Sequence, residues 1–193
     1  VEPGQEGDRR VEIIRENPRN LFAVSYKVPH GRSYEWAVLH IIAAYLTDGA
    51  QSRLDDALVD THKASSVDCA LYPTRDDGLC TIHAQITDTS SHSEVEEIIL
   101  KETARLTKKL ISTKRLETIK TKILAGELYS RDGTLALASE LTECIALGDW
   151  TRFYTFADDI ARVTAQDIQE VAKKYFQRNN RVIGVFVGII AKK

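Results

Sequence analysis

The stretch 34–46, "YEWAVLHIIAAYL", constrains the fold most. Trp36, Leu39, Ala43 and Leu46 recur at helical spacing, and Val38, Ile41, Ile42 and Tyr45 fill most of the remaining circumference. A helix apolar nearly all round must be buried on more than one side, so it needs a layer beneath it and further helices beside it. Its surroundings supply both. Two strand-like runs precede it, 10–14 and 21–28, and "RENPRN" between them is turn material, so a hairpin is expected. After Asp48-Gly49 a second, amphipathic helix begins at "SRLDDALVDTH", with Leu54, Ala57 and Leu58 inward.

A second hairpin is expected over 66–73 and 79–87, with Asp77-Gly78 supplying a positive φ at its turn. A capping box at Ser93 and Glu96 opens a helix whose apolar positions are Val95, Ile98, Ile99, Leu106 and Leu110. Two more helices follow, 113–131 with Leu116, Ile119, Ile123 and Leu128 inward, and 134–147 with Leu137, Leu141, Cys144 and Ile145 inward. A run at 151–162, a helix from Thr164 presenting Ile168, Val171, Ala172, Tyr175 and Phe176, and a last strand in "NNRVIGVFVGII" complete the chain. The order ββααββ, helical block, β implies an α+β fold: a two-layer sandwich in which a mainly antiparallel sheet is covered by helices.

Length and composition narrow the function. The 193 residues suit a single domain over 1–193. The opening "VEPGQEGDRRVEI", without Met or signal features, reads as a fragment of a longer protein. A hydrophobic fraction of 43% with 28% charged residues belongs to a soluble globular protein. A formal net charge of −2 gives no electrostatic reason to expect nucleic acid as partner. No apolar run reaches the ~20 residues of a membrane span.

Candidate chemistry is sparse. The five histidines, His30, His40, His62, His83 and His92, include no i, i+4 pair on an expected helix, so zinc has no pair of ligands one turn apart. His40 in its apolar helix reads as a packed core residue. Cys69, Cys80 and Cys144 show no metal or disulfide spacing and read as free thiols, the first two facing the core. "TDTSSHSE" gathers Asp88, Ser90, Ser91, His92 and Ser93, but that is ordinary loop and N-cap composition. Neither a nucleophile elbow nor a phosphate loop occurs. Basic residues from Arg105 to Lys122 fall on the polar sides of two helices and read as a solvated face, with an acidic partner as the second reading.

Several strings resemble one family in order along the whole chain: "EPGQEGDRRVEIIR", "LTDGAQSRLDDALVD", "VDCALYPTRDDGL", "LYSRD", "ALGDW" and "VTAQDIQEVAKKYF" before "NNRVIGVFV". The chain is similar to the second, non-catalytic domain of the pitrilysin (insulinase, M16) zinc metallopeptidases, which share a LuxS-like half. In that family a catalytic half of the same fold carries H-x-x-E-H on a helix. The two histidines and a downstream Glu bind zinc, and the motif Glu activates water. The corresponding helix here reads His40-Ile41-Ile42-Ala43-Ala44, with no base and no second ligand. Some members place an Arg and a Tyr in the second half to hold peptide, and lined up on "ALVDTHKASSV" those positions are Val59 and Ser66.

The resemblance implies a chain without catalytic residues, metal ligands or cofactor of its own. It would pair with a catalytic M16 domain that carries the zinc, in the same chain or a separate one, and with it enclose peptide substrates in a bacterial enzyme of the periplasm or cytoplasm. Arg53, Tyr72 and Tyr129 are the candidates for its chamber wall. Two further readings stand beside it: a scaffold subunit with a peptidase-like fold and no proteolytic role, and an enzyme with an unrecognised site around His83 and Asp88.

Overall fold

The computed structural model describes residues 5–49 and 51–189. Parts of the strings quoted above, residues 1–4, 50 and 190, lie outside them. Five strands, β1 (Arg9–Glu16), β2 (Asn20–Val28), β3 (Ala64–Leu71), β4 (Gly78–Ile86) and β5 (Arg181–Ile189), form one sheet in the order β1-β5-β2-β4-β3. Only β1 and β5 run parallel; the other three pairings are antiparallel. The expected α+β architecture, a mainly antiparallel sheet under helices, holds.

The expected hairpin of the first two strands does not form. β5 lies between β1 and β2, bonded to both. The connection 17–19 instead arches over the end of β5. Asn17 N donates to Ile189 O at 3.1 Å, and Gly188 N donates to Asn20 Oδ1 at 3.1 Å. A Cβ on Gly188 would fall 2.3 Å from Asn17 O and 2.4 Å from Arg19 O, so only glycine fits beneath this arch.

One sheet face is the core face. Phe22, Val24, Tyr26 and Val28 of β2 alternate inward with Cys80, Ile82, Ala84 and Ile86 of β4, as period-two strands require. Onto them pack α1 (Tyr34–Thr47), α2 (His92–Lys108) and α6 (Ala165–Tyr175), joined by α3 (Thr113–Ser130), α4 (Thr134–Ala146) and α5 (Arg152–Arg162). Helix α1 buries Trp36, Leu39, Ile41, Ile42 and Leu46, as its all-round apolar pattern demands. The second helix is only a short π-helical turn, Asp55–Val59, with Leu54 just before it and Leu58 within it buried. Thr164 and Asp167 form a full capping box ahead of α6.

Four local expectations change. Gly78 does not have a positive φ. The connection 72–77 is too long to need a two-residue turn, and Thr74 Oγ1 closes it by donating to Asp76 O at 2.7 Å. Gly78 is there for space, since a Cβ would meet Thr74 Oγ1 at 2.6 Å. The cap of α2 is Ser91, whose Oγ accepts from Glu94 N at 3.2 Å, not Ser93 with Glu96. Leu110 lies beyond α2 and is exposed. Finally, Leu128 at the end of α3 and Leu137, Leu141 and Ile145 on α4 are exposed, and only Cys144 of the expected inward set on α4 is buried.

Candidate functional site

The second sheet face carries no helix. Across it run Val11 and Ile13 of β1, Gly184 and Phe186 of β5, Leu21 and Ala23 of β2, His83 and Gln85 of β4, and Ser66 and Asp68 of β3. They line an open groove of about 350 Å³. The strand registers explain its shape. Gly184 sits between Val11 and Ala23, so the missing side chain leaves a trough between β1 and β2, and the polar side chains of β4 and β3 lie beyond Ala23. Val11 and Ile13 on one side of β5 and Leu21 on the other are exposed large apolar residues, which make the apolar bank of the groove. On the polar bank His83 Nδ1 lies 3.2 Å from Asp68 Oδ2; outside the groove, one step further along β2 and β4, Ser25 Oγ and Thr81 Oγ1 share a hydrogen bond of 2.9 Å. The strands thus present an extended concavity of the kind that receives small ligands or chain segments.

Ser66, the position at which the resemblance puts a peptide-holding Tyr, lies in this groove beside Gln85. Val59, the Arg position, ends the π-helical turn and packs against the core. The three chamber-wall candidates are not brought together. Arg53 is held in the helical layer by Glu102, with Nε to Oε2 at 2.9 Å and a second bond to Oε1 at 3.0 Å. That carboxylate raises the guanidinium pKa further. Tyr72 and Tyr129 are largely exposed, the one just past β3 and the other near the end of α3.

His40 lines a separate cavity of about 240 Å³ with Trp36, Cys144, Arg152, Phe156 and the carboxylates of Glu127, Glu140 and Glu143. Burial, and then the charge of Arg152, lower the His40 pKa, so its ring is neutral at pH 7. Two of these acids, Glu140 and Glu127, are already engaged. Arg131 donates to Glu140 at 2.6 Å and to Glu127 at 3.4 Å, and also to Phe153 O at 2.7 Å. Among the described residues no three His, Cys, Asp or Glu side chains converge to hold a metal ion. Zinc therefore does not fit this helix: it offers one neutral imidazole with no second ligand a turn away, and two of the three nearby acids are held by Arg131.

The other sequence candidates separate. His83 pairs with Asp68 and not with Asp88. His92 Nε2 lies 2.9 Å from Phe186 O, and Ser91 is a helix cap, so "TDTSSHSE" assembles no triad. Cys80 is buried as expected, Cys69 only half-buried, and their sulfurs lie 3.5 Å apart. Within the basic run, Lys120 departs from a solvated face: it is buried, donating to Ala161 O at 2.9 Å and pairing with Glu117 at 3.2 Å. Sequence reasoning missed the groove, because its residues come from five strands and its floor is a glycine. The only local signal was the polar alternate set of "LCTIHAQI".

No described helix is long and apolar enough to cross a membrane. No curated protein matches the sequence. Among solved structures, a protease from Helicobacter pylori superimposes with a TM-score of 0.90 at 19% identity, covering 95% of this chain and 45% of its own. This chain thus spans less than half the length of that protease. The inactive peptidase domain of a candidate zinc protease from Bordetella parapertussis matches with a TM-score of 0.81 at 26% identity, over 94% of this chain and 97% of its own. A candidate zinc protease from Bordetella pertussis Tohama I matches at 28% identity with a TM-score of 0.78, over 88% of this chain and 94% of its own. The model of the family described as "Peptidase M16 inactive domain" matches residues 1–123, and the chain belongs to that family.

Proposed function

We propose that the chain, as one domain over 1–193 within a longer protein or assembly, is the non-catalytic half of an M16 zinc endopeptidase. In this reading it pairs with an H-x-x-E-H half, and the two enclose and hold peptides. The observation that carries it is α1: in a chain of the inactive-domain family, the place of the motif reads His40-Ile41-Ile42-Ala43-Ala44. Zinc and the water-activating base would come from the partner. This half would contribute the open sheet face, where the trough over Gly184 offers an apolar bank and hydrogen-bonding side chains to an extended peptide.

The test is to measure bound zinc and peptide cleavage for this chain alone and for its complex with the H-x-x-E-H half encoded with it. The complex should bind zinc and cleave, and the chain alone should do neither. Stoichiometric zinc or cleavage in the isolated chain would overturn the reading. A scaffold role without proteolysis draws on a different observation, the exposed apolar side chains of Leu135 and Ile145 on α4 with Trp150 and Tyr154 beside it. An assembly that forms with the partner half and yet leaves peptides uncut would favour it.

A further inference from the structure

A cavity of about 330 Å³ opens in the helical layer, away from the sheet-face groove. The end of α1, the segment 51–53, the last turn of α2 and the start of α3 meet there. Its apolar part is made by Tyr45, Leu106, Leu110 and Ile111, and its polar part by Arg53, Arg105, Lys109 and Arg115. No acidic residue is among the described residues that line it. The adjoining carboxylate, Glu102, is bonded twice by Arg53 and lies 4.0 Å from Arg105. Asp56 also acts on Arg53 from outside the lining, so two negative charges adjoin four positive ones.

Arg115 is held in place from the other side, since one of its NH2 groups donates to Gln51 O at 2.9 Å. Gln51 adopts a left-handed φ of 72°, a strained conformation for a residue with a side chain, and it turns that carbonyl towards the guanidinium. The start of α3 adds the positive end of an eighteen-residue helix capped by Ser112. An unbalanced cluster of guanidinium and ammonium groups in a concavity selects an anion. The guanidinium fork matches the two oxygens of a carboxylate. A bare inorganic anion would leave the apolar half of the cavity wetted, so the complementary ligand also carries a hydrocarbon part.

We propose that this cavity binds a carboxylate attached to an apolar body, as presented by the last residue of a peptide ending in an apolar side chain or by a medium-chain fatty acid. The site is independent of pairing with a catalytic half, and it takes up the basic run that the proposed function leaves unused. Its test is an anisotropy titration of this chain with a labelled hexapeptide ending in leucine, as the free acid and as the C-terminal amide, with octanoate and inorganic phosphate as competitors.

The free acid should bind at least tenfold more tightly than the amide, and its affinity should fall with added salt. Arg105→Ala with Lys109→Ala should abolish that preference while leaving the circular dichroism and melting temperature unchanged. The milder Lys109→Gln should reduce it. Displacement by octanoate supports the shared chemistry with a free acid as source; preference for the peptide acid without displacement by octanoate supports a peptide C-terminus. Equal binding of acid and amide, no binding of either, or displacement by phosphate as effective as by the peptide would overturn the site. Amide binding that Gly184→Val weakens, without any carboxylate preference, would overturn this cavity and leave the proposed function standing.

Discussion

The rings of His40 and Phe156 meet edge to face, their centroids 5.3 Å apart at an interplanar angle of 76°. An imidazole used in this way is an aromatic packing element, and the guanidinium of Arg152 lies 5.3 Å from the centre of the same Phe156 ring.

A pH dependence follows from that packing. The folded-state pKa of His40 is lowered from 6.5, first by burial and then by Arg152. The unfolded chain therefore binds the proton more readily, and the stability from the neutral ring is present above pH 6.5. It is lost as the pH falls through the lowered folded value. Urea midpoints at pH 8 and pH 5 should show the native chain losing a component that His40→Phe does not lose. His40→Ala should cost about 0.5–1.5 kcal/mol for the lost aromatic pair, and zinc content should be zero before and after.

Gly188→Ala should be among the most damaging single-methyl additions. The new Cβ would meet the carbonyl oxygens of Asn17 and Arg19 far inside contact distance, and backbone cannot swing aside as a side chain can. A loss of about 1–3 kcal/mol or more is expected, read as a lower denaturation midpoint. An unchanged midpoint would mean that the arch over β5 is not as close as described.

Gly184→Val should behave in the opposite way. Its Cβ would have ordinary contact with Ala23, at 3.9 Å, in a strand that favours β-branched residues. Thermal stability should hold or rise while the trough fills. Peptide affinity of the proposed complex with an H-x-x-E-H half should drop without a matching change in zinc content; retained affinity would remove the groove from the proposed substrate path.

Arg152 and Asp159 form a buried ion pair on α5, with Arg162 on the other carboxylate oxygen. Asp159→Ala leaves the Arg152 charge buried without its partner and should cost about 3–5 kcal/mol. Asp159→Asn should cost less, because it keeps the shape and one acceptor. Denaturation curves of the two variants separate the charge from the packing.

The element types were legible in the chain because each depends on a local period. Helix α1 announced itself by apolar residues all round, and β2 and β4 by strict alternation. The neighbour of β1 was not legible: Pro18 and the asparagines mark a turn, but they do not say whether the two strands it joins touch or admit a third. The exposure of α4 was hidden for a related reason. Leu137, Leu141 and Ile145 give the pattern of an inward face, and a pattern cannot name the surface that meets it. The missing chemistry of His40 was legible outright, since a zinc site needs residues that Ala43 and Ala44 are not. The groove escaped notice because side chains from five strands converge only once the registers are set.

The position of β5 also dictates when the molecule can come into being. Arg9 pairs with Val182 and Leu21 with Phe186, so β1 and β2 are joined through a strand that follows every helix in sequence. A chain emerging from the ribosome can assemble β2, β3, β4 and the helices above them, but β1 must wait with its edge unsatisfied until β5 slides in beside it. Deleting β5, residues 181–189, would release β1 as well.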